Sequence, residues 1–220
     1  MIDANTESEN TRPELATPER FPWPPREDVS AFDAFTETWR ESCFHPTSFF
    51  RRMPRSGNYG AVLTYYLVLG VVAAGIELFW RSVLGFSLSE RLMNEDSSRL
   101  NDIVRFLLSP LILILALYLV TGVCHLLLLM LRGATHGFEA SSRVFAFSYG
   151  PAIANVVPIL GGLIGFVWMA VLAIVGLREA HQTDGSKAAV AVLVPLFLLL
   201  GLLVITVLAA LMMGLLSTRL

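Results

Sequence analysis

The sequence predicts an all-α, polytopic transmembrane helical bundle with five membrane segments, the third and fourth short and broken by proline and glycine. Three observations lead there. The 220 residues are 55% hydrophobic and only 15% charged, against about 25% charged in soluble domains. The apolar residues gather into long uncharged runs, each near the roughly 20 residues that cross a hydrocarbon core about 30 Å thick. The polar residues collect between those runs and in one N-terminal tail, so the bilayer is the solvent of this fold.

The tail, residues 1–43, reads as a separate cytoplasmic region. From Met1 to Glu41 acids outnumber bases ten to four, and Pro13, Pro18, Pro22, Pro24 and Pro25 interrupt the chain, a composition too polar to fold alone. No apolar stretch follows a basic start here, so no secretory signal is expected and the first span directs insertion. After the prolines, Asp28 caps a short amphipathic helix in which Val29, Phe32, Phe35 and Trp39 recur at three- and four-residue steps. That stripe is the expected partner-binding face of the tail. Pro46 opens a second short helix, with Phe49 and Phe50 beside Arg51, Arg52 and Arg55, placed to meet anionic headgroups at the interface.

Residues 44–220 form the membrane domain, with spans expected at about 59–80, 110–131, 144–157, 161–177 and 188–213. The first is opened by Tyr59, Tyr65 and Tyr66 and closed by Trp80 and Arg81, an aromatic belt at each end. Leu84, Phe86, Leu88, Leu92 and Met93 suggest a short amphipathic helix in the following loop. Ser109 and Pro110 read as cap and first turn of the second span. Residues 144–177 are too many for one crossing and barely enough for two, with a turn at Pro158, Gly161 and Gly162 and a further break at Pro151. Two short spans or a re-entrant hairpin fit equally well. The last span carries Pro195. No fixed-period repeat is present, and Gly70 with Gly75 lacks the four-residue spacing of a glycine packing motif.

Orientation follows from the basic residues near span ends: eight on the N-terminal side against five on the other, which puts the N-terminus inside and the C-terminus outside. The net charge of −2 offers no field for nucleic acid. Cys43 and Cys124 sit at different depths and make poor disulfide partners, and no metal-ligand spacing occurs, so neither metal nor cofactor is expected.

Few side chains carry chemistry. Glu77, three residues before Trp80, is either a carboxylate snorkelling to the interface or a relay group. His125 lies mid-span beside Cys124, either hydrogen-bonded to a neighbouring helix or moving protons. Asn155 and Tyr149 stand in the broken stretch between Pro151 and Pro158, where unwound backbone serves either packing or a ligand. Paired intramembrane acids, His-Glu-x-x-His and Gly-x-Ser-x-Gly are all missing, which argues against an enzyme.

Several short patterns share one order and spacing with a known family: His45-Pro46-x-x-Phe49-Phe50-x-x-Met53-Pro54 before the first span, Phe145 to Pro151 ending in Ser148-Tyr149-Gly150-Pro151, Val157-Pro158-x-x-Gly161-Gly162, Gly176-Leu177-Arg178-Glu179-Ala180-His181, and Lys187-Ala188. From Phe44 onward the chain resembles the Yip1 domain family. The resemblance implies a five-span helical domain with a cytoplasmic N-terminus. Eukaryotic members act in vesicle traffic with small GTPases, but the aspartate-leucine-tyrosine-glycine-proline motif of many of them is missing from this tail. The compact form is similar to the prokaryotic branch, where the resemblance implies architecture rather than an activity.

The expected function is a non-catalytic membrane scaffold acting through helix packing and tail contacts, with homo-oligomers or a protein partner, in a bacterial inner membrane. The competing expectation is a small transporter or channel with a polar site at residues 151–162, lined by Asn155 and His125. A cavity reaching Asn155 favours transport, and a tightly packed bundle favours the scaffold.

Overall fold

The computed structural model describes residues 21–84, 99–158 and 160–217. The elements are α1 (Ala31–Phe44), α2 (Pro46–Arg52), α3 (Tyr59–Leu84), α4 (Arg99–Met130), α5 (Phe138–Phe147), a 3-10 helix (Gly150–Val156), α6 (Leu160–His181) and α7 (Gly185–Ser217). Among the described residues, four helices are long and apolar enough to cross a membrane: Tyr59–Leu84, Leu100–Met130, Leu160–His181 and Gly185–Ala210. The segment expected as a third span at 144–157 is no single helix. It is the end of α5, a two-residue link and the 3-10 helix. Pro151 explains the break, since its ring removes an amide donor and crowds the preceding turn.

The broken segment nonetheless follows α3 along most of its length. Ser142 in α5 is hydrogen-bonded to Tyr59 at the start of α3, and the Trp80 indole donates to the Val156 carbonyl at 3.2 Å near the other end. From Tyr59 to Trp80, α3 climbs about 31 Å. Helix α5 and the 3-10 helix end to end measure about 29 Å.

Close backbone contact joins the 3-10 helix to α6. A Cβ on Gly161 would overlap the Ala154 carbonyl oxygen, and one on Gly165 would come within 2.7 Å of the Pro151 oxygen. Gly161 and Gly165 thus form a four-residue glycine step used within the chain. The expected turn at Pro158 holds, but Gly161 and Gly162 lie inside α6 rather than in the turn.

Two further boundaries differ from expectation. Ser30, not Asp28, caps α1, its hydroxyl accepting from the Asp33 amide at 3.1 Å. Pro110 lies inside α4; the helix begins at Arg99, and an apolar setting tolerates an internal proline once neighbours satisfy the freed backbone. The expected loop helix around Phe86 to Met93 lies outside the described residues.

The N-terminal helices belong to the packed core. Phe49 and Phe50, expected at a lipid interface, are fully buried together with Tyr65 and Phe147. Their rings meet in tilted and edge-to-face pairs: Phe49 with Phe50 at 5.3 Å, Phe49 with Phe147 at 5.3 Å, and Tyr65 with Phe147 at 5.2 Å between centroids. Each such pair contributes about 0.5–1.5 kcal/mol beyond area burial. Gly176 makes room for Phe50, whose ring atoms would stand 3.2 Å from an added Cβ. The compositional division at residue 43 does not coincide with a break in packing, because Thr38, Ser42 and Cys43 of α1 are buried.

Candidate functional site

The structure brings three sequence candidates together at the Trp80 end of the bundle. A cavity of about 390 Å³ lies between α3, α4 and the 3-10 helix, within the roughly 300–1,000 Å³ typical of ligand sites. Its α3 wall runs from Gly70 to Arg81 and includes Glu77, about 16 Å of helix. The α4 wall presents Asp102, Arg105 and Ser109, and the broken segment adds Tyr149 and Asn155. The small residues Gly70, Ala73 and Ala74 open the space, and Ile112, which also lines it, is 51% exposed on the bundle's outer surface.

The charges in the cavity balance. Arg81 pairs with Asp102 at 3.1 Å and with Glu77 at 3.7 Å. The Arg81 side chain is 8% exposed and Asp102 18%, whereas Glu77 is 60% exposed. A buried ion pair of this kind holds only while both partners remain, since removing one strands the other. Glu77 thus lies within reach of Arg81 and faces the open side of the cavity. The hydroxyl of Ser109 is buried and has no hydrogen-bond partner among the described residues. Several helix hydroxyls bond back to a carbonyl four residues earlier, as Thr64, Ser82 and Thr206 do, whereas Thr121, further along α4 and away from the cavity, is unpaired like Ser109 among the described residues. The Asn155 side chain likewise has no hydrogen-bond partner among the described residues, its oxygen lying 3.4 Å from the position of an added Cβ on Gly162.

The cavity is closed toward the Tyr59 end. The Tyr66 hydroxyl donates to the Leu113 carbonyl at 3.0 Å, and its ring meets Tyr149 edge-on at 5.0 Å. Beyond these lie the buried rings of Tyr65, Phe147, Phe49 and Phe50. Pro151 and Pro158 shape the wall without lining the cavity: Pro151 starts the 3-10 helix, and Pro158 follows its end.

His125 does not join this site. It belongs to a second polar cluster at the opposite end, where its Nδ1 and the His181 Nε2 each lie 2.8 Å from the Ser141 hydroxyl oxygen. The His136 amide donates to His181 Nδ1 at 3.2 Å, so Nδ1 is an acceptor and Nε2 carries the proton. His181 therefore donates to Ser141, and Ser141 donates to His125 Nδ1. Thr135 closes the cluster by donating to the His181 carbonyl. Every member of this chain has a partner, the arrangement of a packing network. Sequence reading missed Ser141 and His181; they face His125 only because α5 packs against both α4 and α6 at that level. Among the described residues no three His, Cys, Asp or Glu side chains form a metal-holding group.

The expected interface and tail residues are divided by the fold. Arg51 pairs with Glu179 at 3.2 Å and Arg52 with Glu41 at 2.7 Å, while Arg55 is half-buried. These pairs tie α2 to α6 and to α1. In the tail stripe, Phe35 packs on Tyr65 at 5.1 Å and Trp39 donates to the Gly150 carbonyl at 3.0 Å. Val29 is half-buried, and Phe32 stays 74% exposed. Phe44, at the end of the same helix, is 61% exposed. Trp23 also docks, its indole donating to the Ala61 carbonyl at 2.7 Å.

No curated protein and no solved structure matches the chain. The family model described as Yip1 domain matches residues 40–208. That stretch contains α2, three of the long helices, most of α7 and the whole cavity, and with it this chain belongs to the Yip1 domain family as a multi-pass membrane protein.

Proposed function

We propose that the chain is a non-catalytic membrane organiser that holds a polar-headed ligand in a blind cavity and presents fixed surfaces to partners. The observation that carries this reading is the seal below the cavity: Tyr66, Tyr149 and the aromatic cluster leave no open route toward the Tyr59 end. The rings of Tyr66 and Tyr149 stand between this cavity and the separate His125–Ser141–His181 cluster at the other end, so the two polar regions are not joined into one passage among the described residues. The chain crosses the membrane five times, with α5 and the 3-10 helix together as the third crossing. Support comes from the contacts that pair Ser142 with Tyr59 and Val156 with Trp80. The excess of basic residues at the Tyr59 end supports a cytoplasmic position for that end, with the cavity opening to the outer side of what we take to be a bacterial inner membrane. Partner contacts at the cytoplasmic face fall to Phe32 and Phe44, the aromatic side chains that α1 leaves exposed.

Transport is the second reading, favoured by the 3-10 helix and its freed carbonyls beside Asn155. Flux measurements separate the two. Vesicles reconstituted with the full chain and loaded with a panel of small ions and zwitterions are expected to leak no faster than protein-free vesicles. Saturable flux that Asn155→Leu abolishes would replace the organiser with a transporter.

A further inference from the structure

We propose that the cavity binds the headgroup of a zwitterionic phospholipid, a phosphodiester carrying an ammonium group. The inference rests on the blind cavity described above and assigns its ligand. Arg81 and Arg105 bring two positive charges to the lining, and Glu77 and Asp102 bring two negative charges. A simple anion entering this space meets two carboxylates, and a simple cation meets two guanidinium groups. A ligand with both signs meets a complement for each, which is the chemistry of electrostatic matching.

The uncharged donors add a second, independent observation. Ser109 is 92% buried by its 8% exposure, lines the cavity, and keeps a hydroxyl with no partner among the described residues. A buried hydroxyl without a hydrogen bond is destabilising by about 1–3 kcal/mol, and a ligand oxygen removes that cost. The amide of Asn155 stands across the same space. Phosphate oxygens are met by Ser109 and Asn155 in the field of Arg81 and Arg105, and the ammonium group by the open side of Glu77.

The lipid source follows from where the cavity opens. Ile112 both lines it and is 51% exposed on the face of α4, next to Leu108 and Leu111, also exposed on that helix. A headgroup entering between α3 and α4 leaves its acyl chains on this apolar surface. A water-soluble zwitterion gains nothing from it.

Native mass spectrometry of the detergent-purified full chain, titrated with dioleoylphosphatidylethanolamine or dioleoylphosphatidylglycerol, tests the assignment. One phosphatidylethanolamine per chain is expected to bind about tenfold more tightly than phosphatidylglycerol. Glu77→Gln, on a largely exposed side chain, leaves one excess positive charge and is expected to erase that preference. Ser109→Val and Asn155→Leu are each expected to weaken the first lipid about tenfold, with the later, annular lipids unchanged. Circular dichroism and monodisperse elution confirm that each variant is folded, and Ser109→Ala provides a milder replacement if Ser109→Val is not. Equal binding of the two lipids by the native chain would overturn the proposal, as would binding indifferent to all three variants. Saturation by O-phosphoethanolamine alone would also overturn it, in favour of a free zwitterion. A negative result here with no vesicle flux leaves the organiser standing without this ligand; flux instead removes the organiser itself.

Discussion

Gly161 and Gly162 are neighbours with different duties. An added methyl on Gly161 meets backbone, the Ala154 carbonyl, which has little freedom to retreat; on Gly162 it meets only the Asn155 side-chain oxygen at 3.4 Å. Gly161→Ala is therefore expected to lower stability by about 1–3 kcal/mol or more, and Gly162→Ala by much less, as read by melting midpoints in detergent. Cys43 offers a second test. Burial pushes its thiol up to about 11 despite the Ser42 hydroxyl that lowers it. At pH 8 only about one thiol in a thousand is then thiolate, the reactive form, so maleimide is expected to modify Cys43 only after unfolding. Because the folded thiol is the harder to ionise, its contribution to stability is complete below the ordinary value of 9.0 and is lost as pH climbs through about 11. Residue identity announced some of this and hid the rest. Pro151 and Asn155 stood out because they sit together in a broken apolar stretch, while Ser109 read as an ordinary helix cap and Asp102 and Arg105 as loop residues ahead of the span; all three matter only because α3 and the 3-10 helix face them.

At the scale of elements, periodicity identified α1 and its apolar stripe but not the stripe's occupant. An amphipathic helix seeks any apolar surface, and the nearest lies in the same chain: the Tyr65 ring meets Phe35, and the Gly150 carbonyl takes the Trp39 indole N–H. Trp39→Ala removes both an indole and its 3.0 Å hydrogen bond to Gly150 and is expected to cost about 2–3 kcal/mol. Hydrogen exchange should show the α1 amides losing protection. Phe32→Ser, on a side chain 74% exposed, is expected to leave them unchanged; equal loss in both variants would mean that α1 is not docked through Trp39. The long helices were legible from length and hydropathy because nothing in them competes with the bilayer's demand for internal hydrogen bonds. Their starts were not. Ser109 and Pro110 satisfy every local rule for a helix beginning, yet α4 begins at Arg99, where Asp102 reaches Arg81 on the neighbouring helix.

For the whole molecule, the decisive feature is the segment of α5 and the 3-10 helix, which we read as a third crossing made of two unlike pieces. It puts Tyr149 and Asn155 beside α3, creates the cavity at the Trp80 end and leaves the Tyr59 end packed with aromatic rings. Hydropathy located this segment and could not count it, because a 3-10 helix rising about 2.0 Å per residue covers the depth with fewer residues than an α-helix. Single-cysteine labelling of intact cells tests the arrangement most directly. In a background of Cys43→Ser and Cys124→Ser, Val157→Cys and Gln182→Cys place exposed thiols just beyond the two ends of the hairpin formed by the 3-10 helix and α6. A membrane-impermeant maleimide is expected to modify Val157→Cys from outside and to reach Gln182→Cys only after the cells are opened. Modification of both positions from the same side would contradict the crossing and the cavity built on it.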